Sequence, residues 1–318
     1  MEKRIFAFHD PSMKLRAVVS SLTFDRAAQA VPAPAWFGVS AVFHYLGPSF
    51  AVLLFPAVGV LGVAWFRIAA AALFFMPVTR PWITLREADR ATRLRLAALG
   101  FCLAAMNTAF YLALDRLPMS LVAAMEFAGT VLVALWGMRT GRNLAALGLT
   151  VAGVLLLIDV RWGSDPAGLL FAFLNAALFV GYIVLGHRMA EDGATGGVAR
   201  LGAAMLIAFL FILPVGLVQA IRALATPHLV LAGVGVGICS SVVPYVSDQL
   251  AMSRLPRASF ALLLALLPAS ATLIGAIVLG QMPGVRDVTG VLLVMAGVAM
   301  HQPAADHKER QPTRPKAA

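Results

Sequence analysis

The sequence predicts an all-α polytopic membrane protein, with about ten transmembrane helices in two inverted five-helix repeats. Three observations lead to this fold class: an apolar composition, a series of apolar segments long enough to cross a bilayer, and one short motif that occurs twice. The 318-residue chain is 60% hydrophobic and only 13% charged, with a mean hydropathy of +0.86. A soluble core of this size needs far less apolar surface, so the composition indicates a membrane protein.

The apolar segments follow one another closely along the chain. A membrane-spanning helix needs about 20 predominantly apolar residues. The predicted spans are residues 36–55, 57–78, 94–114, 118–138, 143–160, 166–187, 197–220, 228–251, 257–279 and 286–302. Several of the links between them contain only a few residues, which leaves no room for a soluble catalytic domain.

The repeated motif relates the two halves of the chain. Leu112–Pro118 reads LALDRLP, and Leu250–Pro256 reads LAMSRLP 138 residues later. Pro77, near the end of the second span, has a counterpart 137 residues later at Pro214. Each interval contains about five spans, and an odd number of spans turns the second copy upside down in the bilayer. Inverted repeats with a binding site between them are typical of secondary transporters.

The basic residues predict the orientation of the spans. If the N-terminus lies in the cytoplasm, 20 of the 25 Lys and Arg residues fall on cytoplasmic segments, four fall on the opposite face, and Arg67 lies within a span. This asymmetry follows the positive-inside rule and places both termini in the cytoplasm. The net charge of +10 is therefore a topology signal with some attraction for anionic lipids, and no nucleic-acid partner is predicted.

The predicted organisation has four parts. These are a cytoplasmic N-terminal arm at 1–35, a first five-helix repeat at 36–160, a second at 161–302, and a disordered cytoplasmic tail at 303–318. The arm has no sufficient apolar run before Pro32, so we expect the first span to act as an uncleaved insertion signal. Cys102 and Cys239 lie in spans, and neither a disulfide nor a metal or cofactor site is predicted.

Glycines recur at positions where helices are expected to pack closely. They include Gly148 and Gly153 in the fifth span, Gly290 and Gly297 in the tenth, and a Gly-x-Gly-x-Gly run at 233–237. In lipid, small residues allow the close backbone approach that holds helices together. The run at 233–237 lacks the strand and the remaining fingerprint of a dinucleotide site.

Two charged side chains lie deep within predicted spans. Glu126 is about eight residues, or roughly 12 Å, into the fourth span, and Arg67 is about ten residues into the second. A charge at the bilayer centre costs roughly 2.5–3.5 kcal/mol, and such residues usually face the protein interior. Because burial favours the neutral carboxyl group, Glu126 could take up a proton in exchange for substrate.

Arg67 and Glu126 are expected at similar depths because their spans run in the same direction. An isolated buried ion needs a partner. Either the two side chains pair with each other, or Arg67 binds a substrate carboxylate while Glu126 meets an amino group. A purely structural role in helix packing is the alternative for each residue.

Further polar side chains are candidates for substrate contact. Asp248 follows Pro244, which is expected to open the helix backbone of the eighth span, although an interfacial position is the favoured alternative for Asp248. Asn107 and Tyr111 are four residues apart and share one face of the third span, where they could bind substrate or join helices. Weaker candidates are His44 in the first span and Tyr182 in the sixth.

Several enzyme and pump motifs are absent from the sequence. There is no Gly-x-x-x-x-Gly-Lys-Ser/Thr loop, so ATP is not expected to be the direct energy source, and there is no His-Glu-x-x-His. No pair of intramembrane carboxylates suggests a protease. An enzyme is therefore not predicted, and the inverted repeat favours a carrier over a channel.

The motifs that carry a family resemblance are spread over both halves. They are Leu54-Phe55-Pro56, Gly62-Val63 with Arg67, Met106-Asn107, Phe110-Tyr111-Leu112, Glu126-Phe127 with Gly129, Gly181-Tyr182-Ile183, Pro244-Tyr245 with Asp248, Arg254-Leu255-Pro256 and Leu279-Gly280. Over about residues 36–300 the chain resembles the drug/metabolite transporter superfamily, specifically proteins with two EamA domains. Within it, the chain is most similar to the bacterial inner-membrane threonine/homoserine exporter group.

The resemblance implies a fold and a set of site residues. The fold is ten helices in two inverted five-helix bundles, with a central cavity formed by the first four helices of each half. The implied polar site positions are Arg67, Asn107, Tyr111, Glu126, Tyr245 and Asp248. The chain departs from the group at Val52, where a basic residue is usual, and at Leu267 and Gln281, where the group has Glu.

The expected function is therefore secondary active export of small metabolites, most directly amino acids such as threonine or homoserine. The cytoplasmic membrane is the expected location, with the lipid bilayer as surroundings and protons as the candidate coupling ion. Export of drugs or other metabolites is the alternative within the superfamily, and a non-transporting membrane scaffold or enzyme is the alternative from another class. The sequence predicts no particular oligomeric state.

Overall fold

The computed structural model of the chain describes five ranges. They are residues 31–137, 140–157, 165–190, 194–252 and 266–300. The predicted N-terminal arm up to residue 30, the centre of the join between the halves, most of the second motif copy, the start of the ninth span and the tail lie outside the described residues. The repeat boundaries at 160/161 and 302/303 also fall outside these ranges, so the division into domains stays a prediction.

Helices account for all regular structure within the described ranges. They are α1 (Ala33–Val58), α2 (Val60–Thr79), α3 (Pro81–Glu87), α4 (Arg90–Leu114), α5 (Met119–Gly137), α6 (Gly141–Leu157), α7 (Pro166–Ala190), α8 (Ala194–Leu224), α9 (Pro227–Gly237), a π-helix (Ile238–Val242), α10 (Val243–Met252), α11 (Leu267–Leu279) and α12 (Val285–Met300). The prediction of an all-α chain agrees with this part of the structure.

Of the described helices, six are long and apolar enough to cross a membrane. They are Pro34–Val58, Val60–Thr79, Arg90–Leu114, Pro166–Leu185, Gly197–Leu224 and Pro227–Asp248. Three shorter apolar helices accompany them at Met119–Gly129, Gly141–Leu157 and Leu267–Leu279. The chain is therefore a multi-pass membrane protein, and each described helix other than α3 overlaps a predicted span.

The loop predicted between the second and third spans contains the short helix α3. Arg80, with φ of +48°, ends α2, and Pro81 then occupies the first turn of α3, where its missing N–H is tolerated. Asp89 caps the next helix, since its Oδ1 accepts a hydrogen bond from the Thr92 backbone N–H at 2.9 Å. Hydrogen bonding from Thr92 holds the pKa of Asp89 below its usual value.

The break between α1 and α2 is stabilised by a side chain from the other half of the chain. Gly59 adopts φ of +84°, a conformation that glycine reaches without strain. The Gln219 Oε1 atom on α8 accepts hydrogen bonds from the backbone N–H groups of Leu61 at 2.9 Å and Gly62 at 3.1 Å. These two donors have no partner within their own helix turn, so Gln219 attaches the start of α2 to α8.

The eighth span is irregular in its centre, as the presence of Pro244 predicts. Proline has no N–H to donate to the carbonyl four residues earlier, and that carbonyl belongs to Ser240. The turn before Pro244 widens into the π-helix Ile238–Val242, between α9 and α10. The Ser240 carbonyl oxygen is then able to accept a hydrogen bond from outside its own helix.

Helices from the two halves pack against one another throughout the described structure. α2 packs on α8, α6 on α12, and α4 on α7, while α1 packs on α10 and the π-helix. α5 contacts both α7 and α11. The core therefore lies between the halves and not within each half separately.

Glycines allow the closest of these contacts. A Cβ atom on Gly153 of α6 would lie 2.6 Å from the Gly290 carbonyl oxygen of α12, closer than real Cβ contacts. Gly237 lies against Ala70 and the backbone of Arg67 on α2. Gly148, by contrast, has no neighbouring atom within 4 Å of the position that a Cβ would occupy. It points away from α12, so its predicted packing role is wrong.

Replacement of Gly153 by Leu should destabilise the protein, because the side chain would force α6 and α12 apart. Overpacking of this kind costs about 1–3 kcal/mol, so the thermal unfolding midpoint in detergent should fall. Gly148→Leu is the matched control on the same helix and should leave the midpoint unchanged or raise it. Equal losses in both variants would contradict the assigned contact.

Candidate functional site

A small cavity, termed the central cavity, lies between helices of both halves. Its volume is about 50 Å³, room for a few water molecules and less than the volume of an amino acid. Its lining residues come from α1, α2, α4, α5, α7, α10 and α11: His44, Arg67, Met106, Asn107, Phe110, Glu126, Asn175, Phe179, Tyr182, Ile183, Tyr245, Asp248 and Leu267.

The structure brings most of the predicted site residues together in this cavity. Arg67, Asn107, Glu126, Tyr245 and Asp248 all line it. His44 and Tyr182, the weaker candidates, line it as well. These residues come from six different helices, so the cavity depends on the packing of the two halves.

Tyr111 lies behind the cavity wall. Its side chain is fully buried, its hydroxyl is 3.5 Å from the Ser240 Oγ atom, and its ring centroid is 5.3 Å from the Arg67 Cζ atom. Asn107 and Tyr111 therefore lie on the same side of α4, but only Asn107 lines the cavity. Tyr111 packs against the guanidinium group as a cation–π partner.

Arg67 is held by the irregular eighth span. Its Nε–H donates to the Ser241 Oγ atom at 3.0 Å, and its Nη2–H donates to the Ser240 carbonyl oxygen at 2.9 Å. The Phe110 ring centroid lies 5.8 Å from the Arg67 Cζ atom on another side. The remaining nitrogen, Nη1, is buried and has no hydrogen-bond partner, so a rigidly held cation presents an unused donor at the cavity.

Glu126 and Asn175 carry the other unused polar atoms among the residues that line the central cavity. Glu126, on α5, is 4% exposed, and its Oε2 atom has no hydrogen-bond partner. Asn175, on α7, lies near enough to Glu126 to interact with its carboxylate, but neither its Nδ2 nor its Oδ1 atom makes a hydrogen bond of ordinary distance and angle. Buried polar groups without partners cost about 1–3 kcal/mol each, and their presence calls for an explanation.

Direct pairing of Arg67 with Glu126 is not seen. Within the described ranges, the ion pairs shorter than 4 Å both involve Arg116. The expectation of similar depth agrees with their shared cavity. The other option remains, in which Arg67 binds the carboxylate of a substrate and Glu126 binds its amino group.

The favoured interfacial position for Asp248 is a statement about depth in the bilayer and stays a prediction. Asp248 lines the central cavity, and the Ser40 side chain of α1 lies beside it. The neighbouring Tyr245 ring stacks near Tyr182, with 5.9 Å between the ring centroids. α1 packs on α10, and Tyr182 of α7 reaches the same region, so Asp248 is half-buried at the cavity.

Sequence reasoning missed Asn175 as a site residue. It lies in the apolar run Leu174-Asn175-Ala176, and the rule that identified Glu126, a polar group within a span, would have identified it.

The three residues that depart from the family pattern lie at two different cavities of the structure. Leu267 lines the central cavity, whereas Val52 and Gln281 line a separate cleft of about 540 Å³ beside the α4–α5 and α11–α12 links.

Comparisons with known proteins agree with this geometry. Residues 166–301 match the EamA-like transporter family. The chain is 34% identical over 238 residues to the threonine/homoserine exporter RhtA of Salmonella typhimurium strain LT2, covering 74% of this chain and 79% of the relative. The exporter of the same name from Escherichia coli K12 is 35% identical over 238 residues, with the same coverage.

A solved crystal structure gives independent support for the fold. It covers 83% of this chain and 94% of its own, with a TM-score of 0.55 at 20% sequence identity. That structure supports the fold alone, and the similarity to the two exporters assigns the chain to a family. It belongs to the EamA-like transporter family of the drug/metabolite transporter superfamily, within the group of the RhtA exporters.

Proposed function

We propose that the protein is a secondary active exporter of small amino acids, such as threonine or homoserine, across the cytoplasmic membrane. The observation that carries this proposal is the set of unpartnered polar atoms at the central cavity: Arg67 Nη1, Glu126 Oε2 and the Asn175 carboxamide. A zwitterionic amino acid has a carboxylate for the arginine and an ammonium group for the glutamate. The names of the relatives indicate the same substrate class.

The proposed architecture is ten spans in two inverted repeats. The helix pairing supports it, because α2 and α8 are the second spans of their halves, and α6 and α12 are the fifth. The pair of α4 with α7 has its counterpart in the pair of α10 with α1. An approximate twofold axis in the membrane plane relates such pairs.

The ends of the helices support the proposed topology, in which alternate links lie on the same face. The Arg116 Nε atom lies 3.1 Å from the Asp165 Oδ2 atom, which joins two links predicted on the outer face. The Arg142 Nε–H donates to the Met300 carbonyl oxygen at 2.8 Å, which joins two ends predicted on the cytoplasmic face. Both contacts agree with the predicted sharing of faces among the links, which is the same whichever face is cytoplasmic.

Glu126 is the proposed coupling residue. A single carboxylate can bind a proton or a substrate ammonium group, and it cannot hold both as an ion pair. Competition for one site links inward proton movement to outward substrate movement, without any need for ATP. The charged and titratable groups that share the cavity with it are His44, Arg67, Tyr182, Tyr245 and Asp248.

The size of the cavity agrees with an alternating-access cycle. At about 50 Å³ it is smaller than an amino acid, so substrate entry requires the helices around it to move apart. Movement of one repeat against the other would open the cavity to each side in turn. This structure then corresponds to a closed stage of the cycle.

Export of a less polar metabolite or drug is the second candidate function. The observation in its favour is the apolar part of the cavity wall, formed by Phe179, Ile183 and Leu267. Release of substrate from liposomes would exclude a scaffold, and its chemical recovery unchanged would exclude an enzyme. A panel of labelled amino acids and hydrophobic cations distinguishes the two exporter functions.

Glu126→Gln should abolish the pH dependence of threonine binding. In the wild type, raising the pH from about 5 to 7, where threonine keeps both its charges, removes the competing proton and should tighten binding. The variant has no such proton, so its affinity should be lower and flat with pH. The measurement is equilibrium binding of labelled threonine to purified protein.

Asp248→Asn and His44→Gln are controls in which threonine binding should still depend on pH. A pH dependence that is retained in Glu126→Gln would exclude the coupling role.

Arg67→Gln should weaken threonine binding by roughly 10- to 100-fold, because a hydrogen bond between charged groups contributes about 1.5–3 kcal/mol. Threoninol, which lacks the carboxylate, should bind the variant and the wild type similarly. Competition assays with both compounds on one preparation give an affinity ratio that does not depend on the amount of folded protein. An unchanged ratio would show that Arg67 does not bind the carboxylate.

Labelling with a membrane-impermeant maleimide should reveal the proposed orientation. Met282, 81% exposed in the α11–α12 link, and Glu87, exposed at the end of α3, are suitable positions in a background with Cys102 and Cys239 replaced by Ala. Met282→Cys should react in intact cells, and Glu87→Cys only after permeabilisation. The reverse pattern would overturn the orientation.

A further inference from the structure

Asn175 stands out among the buried polar residues of the protein. Its side chain is 1% exposed, it lies in the middle of α7, and it lines the central cavity beside Glu126. Neither polar atom of its carboxamide makes a hydrogen bond of ordinary geometry, and its approach to the Glu126 carboxylate falls short of one. By contrast, the Nδ2 atom of Asn107 across the cavity donates to the Leu103 carbonyl oxygen at 2.7 Å.

The donor and acceptor atoms of the carboxamide determine which ligand groups can form hydrogen bonds with it. Its NH₂ group donates hydrogen bonds and its oxygen accepts them. A carboxylate could satisfy only the donor, and an ammonium group only the acceptor. A hydroxyl group both donates and accepts, so it is a small ligand group that can satisfy either atom of the carboxamide.

The position of Asn175 also suits a hydroxyl near an amino group. Because it lies beside Glu126, a ligand whose ammonium group meets that carboxylate brings its next substituents close to the carboxamide. In threonine and serine, the hydroxyl is on the carbon next to the one that carries the amino group, and in homoserine it is one carbon further. Phe179 and Ile183, which follow on the same face of α7, form an apolar wall that limits the side chain.

We propose that Asn175 is the residue that selects a hydroxyl-bearing amino acid over its apolar isostere. The inference rests on the proposed function, because it assigns the side-chain part of the same site. Valine has the shape of threonine with a methyl group in place of the hydroxyl. Its binding leaves the buried carboxamide without a partner, and sites that hydrogen-bond a substrate hydroxyl reject such analogues strongly.

The test is transport of labelled threonine and valine in proteoliposomes, with the ratio of their kcat/KM values as the readout. The wild type should prefer threonine by at least about tenfold, the effect of one lost hydrogen bond to a buried group. In Asn175→Leu, which keeps the branched shape and removes both polar atoms, the ratio should fall to about one. Because both substrates are measured on one preparation, a lower yield of folded protein does not alter the ratio.

Asn107→Leu is the matched control, with the same substitution in the same cavity at a carboxamide that is already hydrogen-bonded. Its transport rates should fall for both substrates, while the preference for threonine is retained. If Asn175→Leu is not recovered, Asn175→Ala removes the same atoms with less bulk. Retained preference in the Asn175 variants, or its loss in both the Asn175 and the Asn107 variants, would overturn the inference.

The wild-type protein separates this inference from the proposed function. If it moves threonine and valine at the same rate, the inference alone fails. If it moves neither threonine, serine nor homoserine, the proposed amino-acid exporter fails. Threonine transport with the expected preference, lost only in the Asn175 variants, supports both.

Discussion

The contact between Arg67 and the carbonyl of Ser240 is the interaction on which the rest of the site depends. Pro244 has no N–H for this carbonyl, and the Arg67 Nη2–H takes its place at 2.9 Å, while Nε–H binds the Ser241 hydroxyl. A buried cation is tolerated when hydrogen bonds surround it. The contact therefore gives the Ser240 carbonyl a donor and gives the buried Arg67 charge an acceptor. It also joins the two halves at the cavity.

The same contact determines how Arg67 can function. With two of its nitrogens and one face fixed by the eighth span and Tyr111, the guanidinium group keeps a single unused nitrogen, Nη1. Such preorganisation lowers the ordering needed on binding a carboxylate. Because the partners belong to the opposite half, any rearrangement of the halves must also move or break these hydrogen bonds. In the proposed cycle, substrate binding and conformational change would thereby be connected through one side chain.

Much of this organisation could be predicted from the sequence, because the energetic cost of polar groups in spans is a local property. That cost identified Arg67, Glu126 and Asn107, and Pro244 identified the irregular span. The rotation of each helix about its axis is a tertiary property, and it determines which side chains face the cavity or a neighbouring helix. It placed Tyr111 behind the cavity and turned Gly148 away from α12. It also gave Arg67 its partners on the eighth span instead of Glu126, which equal depth alone could not reveal.

The central claim is that one amino-acid zwitterion bridges Arg67 and Glu126 in the cavity between the halves. A structure of the protein determined with bound L-threonine tests it most directly. The account predicts that the ligand carboxylate lies about 3 Å from Arg67 Nη1 and its ammonium group at a similar distance from Glu126 Oε2. A threonine molecule seen only in the separate cleft beside Gln281, or bound in the cavity without contact to either charge, would contradict the claim.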